Sequence, residues 1–163
     1  LNTKKTDLDN FVDKNVKFRE GFLEFYNYVK KNSLDFKIVS SGVDFYIYSA
    51  LSSLGIDPGS VEIISGQSSF NSEGIDVQYF DPGNLNISAN FKDTYTKLHK
   101  KMYSKIIYFG DSYTDLNSAT ISDVIFATDK LQSYFEKENI DHFSFKNYFE
   151  VLEIFKEQNL TEL

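Results

Sequence analysis

The sequence predicts an α/β fold: a doubly wound parallel sheet, Rossmann-like, with one small β-hairpin as an excursion. Three observations carry that expectation. Short apolar runs alternate with stretches of helical spacing along the chain. The links between them are short, so crossover helices join strands that lie parallel. The strand runs are apolar almost throughout, as strands covered on both faces are.

In order, "REGFLEFYNYVKKN" carries apolar residues at 22, 25, 26 and 29, which is helical spacing. "DFKIVSSG" ends an apolar run in small residues and predicts a buried strand at 36–40. "VDFYIYSALSSLGI" returns to helix, with Asp44 near its start and Gly55 past its end. "SVEIISG" is a second strand, and "SSFNSEGIDVQYF" reads as a hairpin around Asn71, Ser72, Glu73 and Gly74. A loop with Pro82 and Gly83 leads to a helix over about 90–102. "KIIYFG" and "DVIFA" are further strands, with the helix "TDLNSATIS" between them. "KLQSYFEKENI" and "FKNYFEVLEIFKEQ" close the chain as two amphipathic helices.

Composition excludes several classes. The 163 residues suffice for one domain with a core, and 41% hydrophobic with 17% aromatic content is that of a folded protein. No cysteine is present, so disulfides and thiolate metal sites are out, and a cytoplasmic location is expected. No apolar run has membrane-spanning length. A net charge of −7 opposes non-specific nucleic-acid binding, and Lys97, Lys100, Lys101 and Lys105 read as a solvated face. The chain opens on Leu1, so an N-terminal piece is expected to be missing.

Ligands of such sheets bind at the carboxyl ends of the strands. Three polar clusters fall at predicted strand ends: Ser40-Ser41-Gly42, Ser65-Gly66-Gln67 and Gly110-Asp111-Ser112. In "GDSYTD", Asp111 stands at a strand tip and Asp115 one helical turn on, so the two carboxylates are expected to converge on a hard cation such as magnesium. Two carboxylates are a weak site and require a third ligand. Helix capping is the plainer reading, with Ser112 or Thr114 at the cap and Asp115 in the first turn. "FGDS" also resembles the signature of GDSL-type lipases and esterases, with Ser112 as nucleophile. Their Asp-x-x-His has no counterpart, because "NIDHF" sets Asp141 directly before His142. A serine without a base is a poor nucleophile.

"FKIVSSG" offers the Ser40 hydroxyl and a turn of small residues that suits an anion, and a lysine upstream of "GDS" adds positive charge. Hydroxyl, lysine and paired aspartates, in that chain order, resemble the haloacid dehalogenase-like superfamily of phosphatases, in its phosphoserine-phosphatase-like branch. The likeness runs from about residue 17 to 155 and is weak between 56 and 90. It implies that Ser40 bonds the transferring phosphoryl group and that Ser41 and Gly42 lend backbone N–H groups. By the same resemblance Asp111 is a magnesium ligand, and Asp115 holds the metal's waters or supports the lysine. Spacing favours Lys92, in "NFKDTYTK", for that lysine, with Lys97 the competitor.

The family's nucleophile is the first aspartate of an Asp-x-Asp-Gly motif at the tip of an N-terminal strand. Here "TDLDNF" has Asp7 and Asp9 at that spacing, but Thr3-Lys4-Lys5-Thr6 before it cannot form an apolar strand. Residues 1–18 are therefore expected to be the remnant of a helical cap or linker, and 19–163 a core domain lacking its first strand. The resemblance implies a phosphatase acting on a small phosphorylated metabolite through an aspartyl-phosphate, its nucleophile upstream of this chain and the chain alone inactive. A phosphate- or partner-binding domain without catalysis is the alternative, and no membrane or nucleic-acid partner is expected.

Overall fold

The computed structural model describes residues 16–72, 74–88 and 91–162; Asp7 and Asp9 lie outside them. The elements, in chain order, are α1 (Phe22–Lys31), β1 (Lys37–Val43), α2 (Asp44–Ser53), β2 (Glu62–Phe70) and β3 (Ile75–Gln78). There follow α3 (Phe91–Met102), β4 (Ile107–Gly110), α4 (Leu116–Thr120), β5 (Val124–Ala127), α5 (Asp129–Glu138), β6 (Phe143–Ser144) and α6 (Tyr148–Glu157). Short 3₁₀ turns precede β2 at Pro58–Ser60 and α4 at Tyr113–Asp115. The described residues fall into two compact units, one of 16–18 with 35–91 and one of Arg19–Leu34 with 92–162.

The α/β class and the parallel pairing are as expected, and among the described residues the strands pair in two three-stranded sheets. In the first unit the order is β1-β2-β3. β1 and β2 pair in parallel through Lys37↔Glu62, Ile38↔Ile63 and Val39↔Ile64, joined by the α2 crossover. Ile47, Ala50 and Leu51 of α2 are buried, with Ile56 and Val61 beyond it. β2 then continues past the predicted strand end, exchanging its parallel partner for antiparallel β3 from Gln67↔Gln78 to Phe70↔Ile75. The Asn71 N–H donates to the Gly74 carbonyl across the turn, where the hairpin was expected.

In the second unit the order is β4-β5-β6, all parallel. β6 has no counterpart in the sequence reading, because two residues cannot display a period. The α1 pattern works as expected: Phe25, Tyr26 and Val29 are buried, with Glu24 in the first turn and Lys30 and Lys31 in the last, where each charge suits the helix dipole. Phe25 packs edge-on against Phe155 of α6, while Phe109 of β4 stacks on Phe126 of β5 at 4.7 Å. Aromatic pairs of this kind are worth about 0.5–1.5 kcal/mol each beyond the area they bury. Among the described residues β1 and β4 each end a sheet, with a strand partner on one side alone. No helix among them is long and apolar enough to cross a membrane.

Candidate active site

The second unit gathers its polar groups just past the carboxyl end of β4. Lys92, at the start of α3, donates from Nζ to Asp115 Oδ1 at 2.6 Å, and both side chains are largely buried. The Tyr108 hydroxyl donates to the same oxygen at 2.9 Å. The other oxygen, Oδ2, accepts from the Asp111 N–H at 3.2 Å, the Ser112 N–H at 3.1 Å and Ser112 Oγ at 3.1 Å. The turn closes this tightly because residue 110 is glycine. A Cβ there would lie 2.7 Å from the Asp115 Cβ and 2.8 Å from Leu131 Cδ2, which no side chain tolerates.

The electrostatics follow from that enclosure. Burial pushes the Asp115 carboxyl up, but the Lys92 ammonium, with help from the Tyr108 hydroxyl and the Ser112 N–H, holds it below the ordinary carboxylate value of 3.8. Burial, and then the adjacent Asp115 charge, pushes the Tyr108 phenol well above its ordinary range, so it stays a donor at neutral pH.

These contacts redistribute the expected roles. A carboxylate has about four lone-pair sites, and five donors already converge on Asp115. The two aspartates therefore do not offer a paired cation site. Asp111 is the exposed one, with no hydrogen bond or ion pair to its carboxylate among the described residues. No cluster of three or more acidic or histidine side chains able to hold a metal occurs among them. A single hard carboxylate still fits magnesium, which keeps several waters and takes substrate phosphate as a further ligand. Ser112 stands at the N-cap of the turn and its N–H bonds back to Asp115, so capping and lysine support share one carboxylate. Its hydroxyl is held by Thr114 and Asp115, while His142 bonds the Ile140 carbonyl and Ser144. The esterase pair is thus absent among the described residues. Lys97 bonds Asp93 at 2.9 Å with most of its side chain in solvent.

In the first unit the Ser40-Ser41-Gly42 cluster lies inside β1, not past its end, and the ladder breaks there. Val39 pairs with Ile64 and Val43 with Gly66, so three residues of β1 stand against one of β2. Within this bulge Ser40 Oγ accepts the Gly42 N–H at 3.0 Å, which takes the N–H expected to face an anion. Just beyond it Asp44 Oδ1 accepts from Ser68 Oγ at 2.5 Å, tying α2 to β2. Ser65-Gly66-Gln67 likewise lies within β2. Tyr108 was missed because a tyrosine in an apolar run reads as core; the signal was that a buried phenol needs a partner.

No family model matches the chain. Its sequence relatives and fold neighbours are hydrolases of the haloacid dehalogenase-like type. It is similar to the 2-hydroxy-3-keto-5-methylthiopentenyl-1-phosphate phosphatase of Bacillus velezensis, 32% identical over 153 residues, covering 90% of this chain and 63% of that protein. The phosphatase of the same name from Bacillus mycoides is 29% identical over 149 residues, covering 90% of this chain and 67% of that protein. The bifunctional enzyme MtnB/MtnX of Bacillus licheniformis is 29% identical over 156 residues, with 94% and 36% covered. The chain thus spans between about a third and two thirds of these relatives' length. Among solved structures, phosphoserine phosphatase in apo form shares the fold at a TM-score of 0.60 and 16% identity, over 91% of this chain and 80% of that one. Cytosolic 5'-nucleotidase IIIB bound to cytidine does so at a TM-score of 0.60 and 18% identity, over 97% of this chain and 59% of that one.

Proposed function

We propose that the protein is a magnesium-dependent phosphomonoesterase acting on a small phosphorylated metabolite, a class to which the substrate in the relatives' names belongs. The observation that carries this reading is the buried Lys92–Asp115 pair at the carboxyl end of β4. A buried ammonium held by one carboxylate is costly to keep unless its charge has a use, and phosphoryl transfer needs such a charge.

Each residue then has a role. Lys92 neutralises charge building on the phosphoryl oxygens. Asp115 fixes the lysine and is not a metal ligand in this reading. Ser40, whose Oγ accepts the Gly42 N–H, has its own hydrogen to donate to a phosphoryl oxygen; Ser41 and Gly42 shape that turn. Asp111 contributes one carboxylate to magnesium, which when bound polarises the phosphate and offsets its charge. The attacking carboxylate is an aspartate upstream of this chain. It bonds phosphorus and expels the alcohol, which takes a proton from the same motif's second aspartate; water then hydrolyses the aspartyl-phosphate. That motif requires a further strand, and β1 and β4 each have a side without a partner among the described residues.

The test is to assay the 163-residue chain beside the protein extended with its native upstream sequence, using an aryl phosphate and magnesium. Turnover is expected in the extended form alone and should vanish when the upstream aspartate becomes asparagine. Phosphate binding without turnover in the extended form would instead establish a binding domain.

A further inference from the structure

We propose that Tyr79 is a positioning residue that sets the Ser40 hydroxyl for phosphate, an inference that rests on the phosphatase reading. Its phenol donates to the Ser41 carbonyl at 2.6 Å. That carbonyl belongs to the same planar peptide unit as the Gly42 N–H, which donates to Ser40 Oγ at 3.0 Å. The plane is therefore pinned at both ends, by Tyr79 through oxygen and by Ser40 through nitrogen. A trans peptide points its C=O and N–H in opposite directions, so holding one end aims the other. The bulge between Val39 and Val43 has lost the ladder bonds that would otherwise orient this plane.

The sequence around Tyr79 is built to seat it. A Cβ on Gly66 would lie 2.7 Å from Val77 Cγ1 and 3.0 and 3.1 Å from ring atoms of Tyr79, so the ring occupies the space that glycine leaves. Gly66 is also the residue that faces Val43, where the β1–β2 register resumes. This gives the second polar cluster of the sequence a task. The Tyr79 ring meets Phe91 edge-on at 5.1 Å, and Phe91 directly precedes Lys92 in the chain. One side chain thus touches both the serine turn and Phe91. A half-buried tyrosine could leave its hydroxyl to water; here the hydroxyl is spent on the peptide that aims Ser40.

The test compares Tyr79→Phe, which removes the hydroxyl and keeps the ring, in the wild-type and Ser40→Ala backgrounds of the extended protein. Inhibition by inorganic phosphate is the readout. Loss of one such bond should raise Ki and KM about fivefold in the wild-type background and by almost nothing once Ser40 is alanine, because the effect acts through that hydroxyl. Equal losses in both backgrounds, or an unmoved Ki, would overturn the proposal. Should the wild type show no response to phosphate, the phosphatase reading fails, and the Gly42 amide resonance decides the positioning claim alone. That resonance should shift in Tyr79→Phe, and an unmoved one refutes the claim.

Discussion

Lys92→Ala is expected to lower turnover of the extended protein by about 10²–10³-fold, the usual loss when one oriented charge-stabilising donor is removed. Its ammonium is held 2.6 Å from a buried carboxylate, so little reorganisation is needed when charge develops on a phosphoryl group. Lys97 is the internal control. It pairs with Asp93 one turn along α3, with its side chain 63% exposed. A charge so well hydrated is worth little, and Lys97→Ala should change turnover less than about twofold. Steady-state kinetics on the two variants checks the ranking, and the reverse order would transfer the role to Lys97.

The second large effect is on stability. Asp115→Asn removes the counter-charge from Lys92 and leaves a mostly buried ammonium, which costs about 3–5 kcal/mol at pH 7. Urea unfolding measures it. Replacing both partners together, as Lys92→Met with Asp115→Leu, should recover much of that loss while turnover stays absent. The pH dependence has a definite sign. Asp115 binds its proton less readily folded than unfolded, so its stabilisation is present above the ordinary value of 3.8 and is lost as pH falls through that value toward the lower folded one. The wild type should therefore weaken more steeply on acidification than Asp115→Asn. Part of the slope remains in both, because Lys100 also holds Asp123 below its ordinary range.

Much of this was legible in the sequence, for reasons that differ by element. α1 declared itself because a two-faced helix repeats its apolar positions over three turns, and β4 and β5 because a strand buried on both faces is a short apolar run. Chain order and spacing singled out Lys92 as the candidate lysine and placed Asp111 just past a strand end, where β4 stops at Gly110. The direction of the Asp115 carboxylate was not legible, since spacing places a residue without saying which donors take its oxygens. The bulge in β1 was hidden for a related reason: Ser40, Ser41 and Gly42 read as a strand terminus, and only pairing with β2 shows the strand resuming at Val43. Which strands pair with which was equally silent, because alternation predicts parallel pairing but not which edges stay open.

If this chain supplies the lysine, hydroxyl and metal carboxylate of a phosphatase, a magnesium titration of aryl phosphate hydrolysis will show it. The extended protein should turn over only with magnesium, lose activity to a chelator and regain it on readdition. Asp111→Asn should need at least about tenfold more magnesium, the scale on which losing a metal-site group lowers affinity, while its inhibition by inorganic phosphate through Lys92 persists. Turnover that survives the chelator, or an Asp111→Asn titration that overlays the wild type, would rule out Asp111 as a magnesium ligand in a phosphatase site.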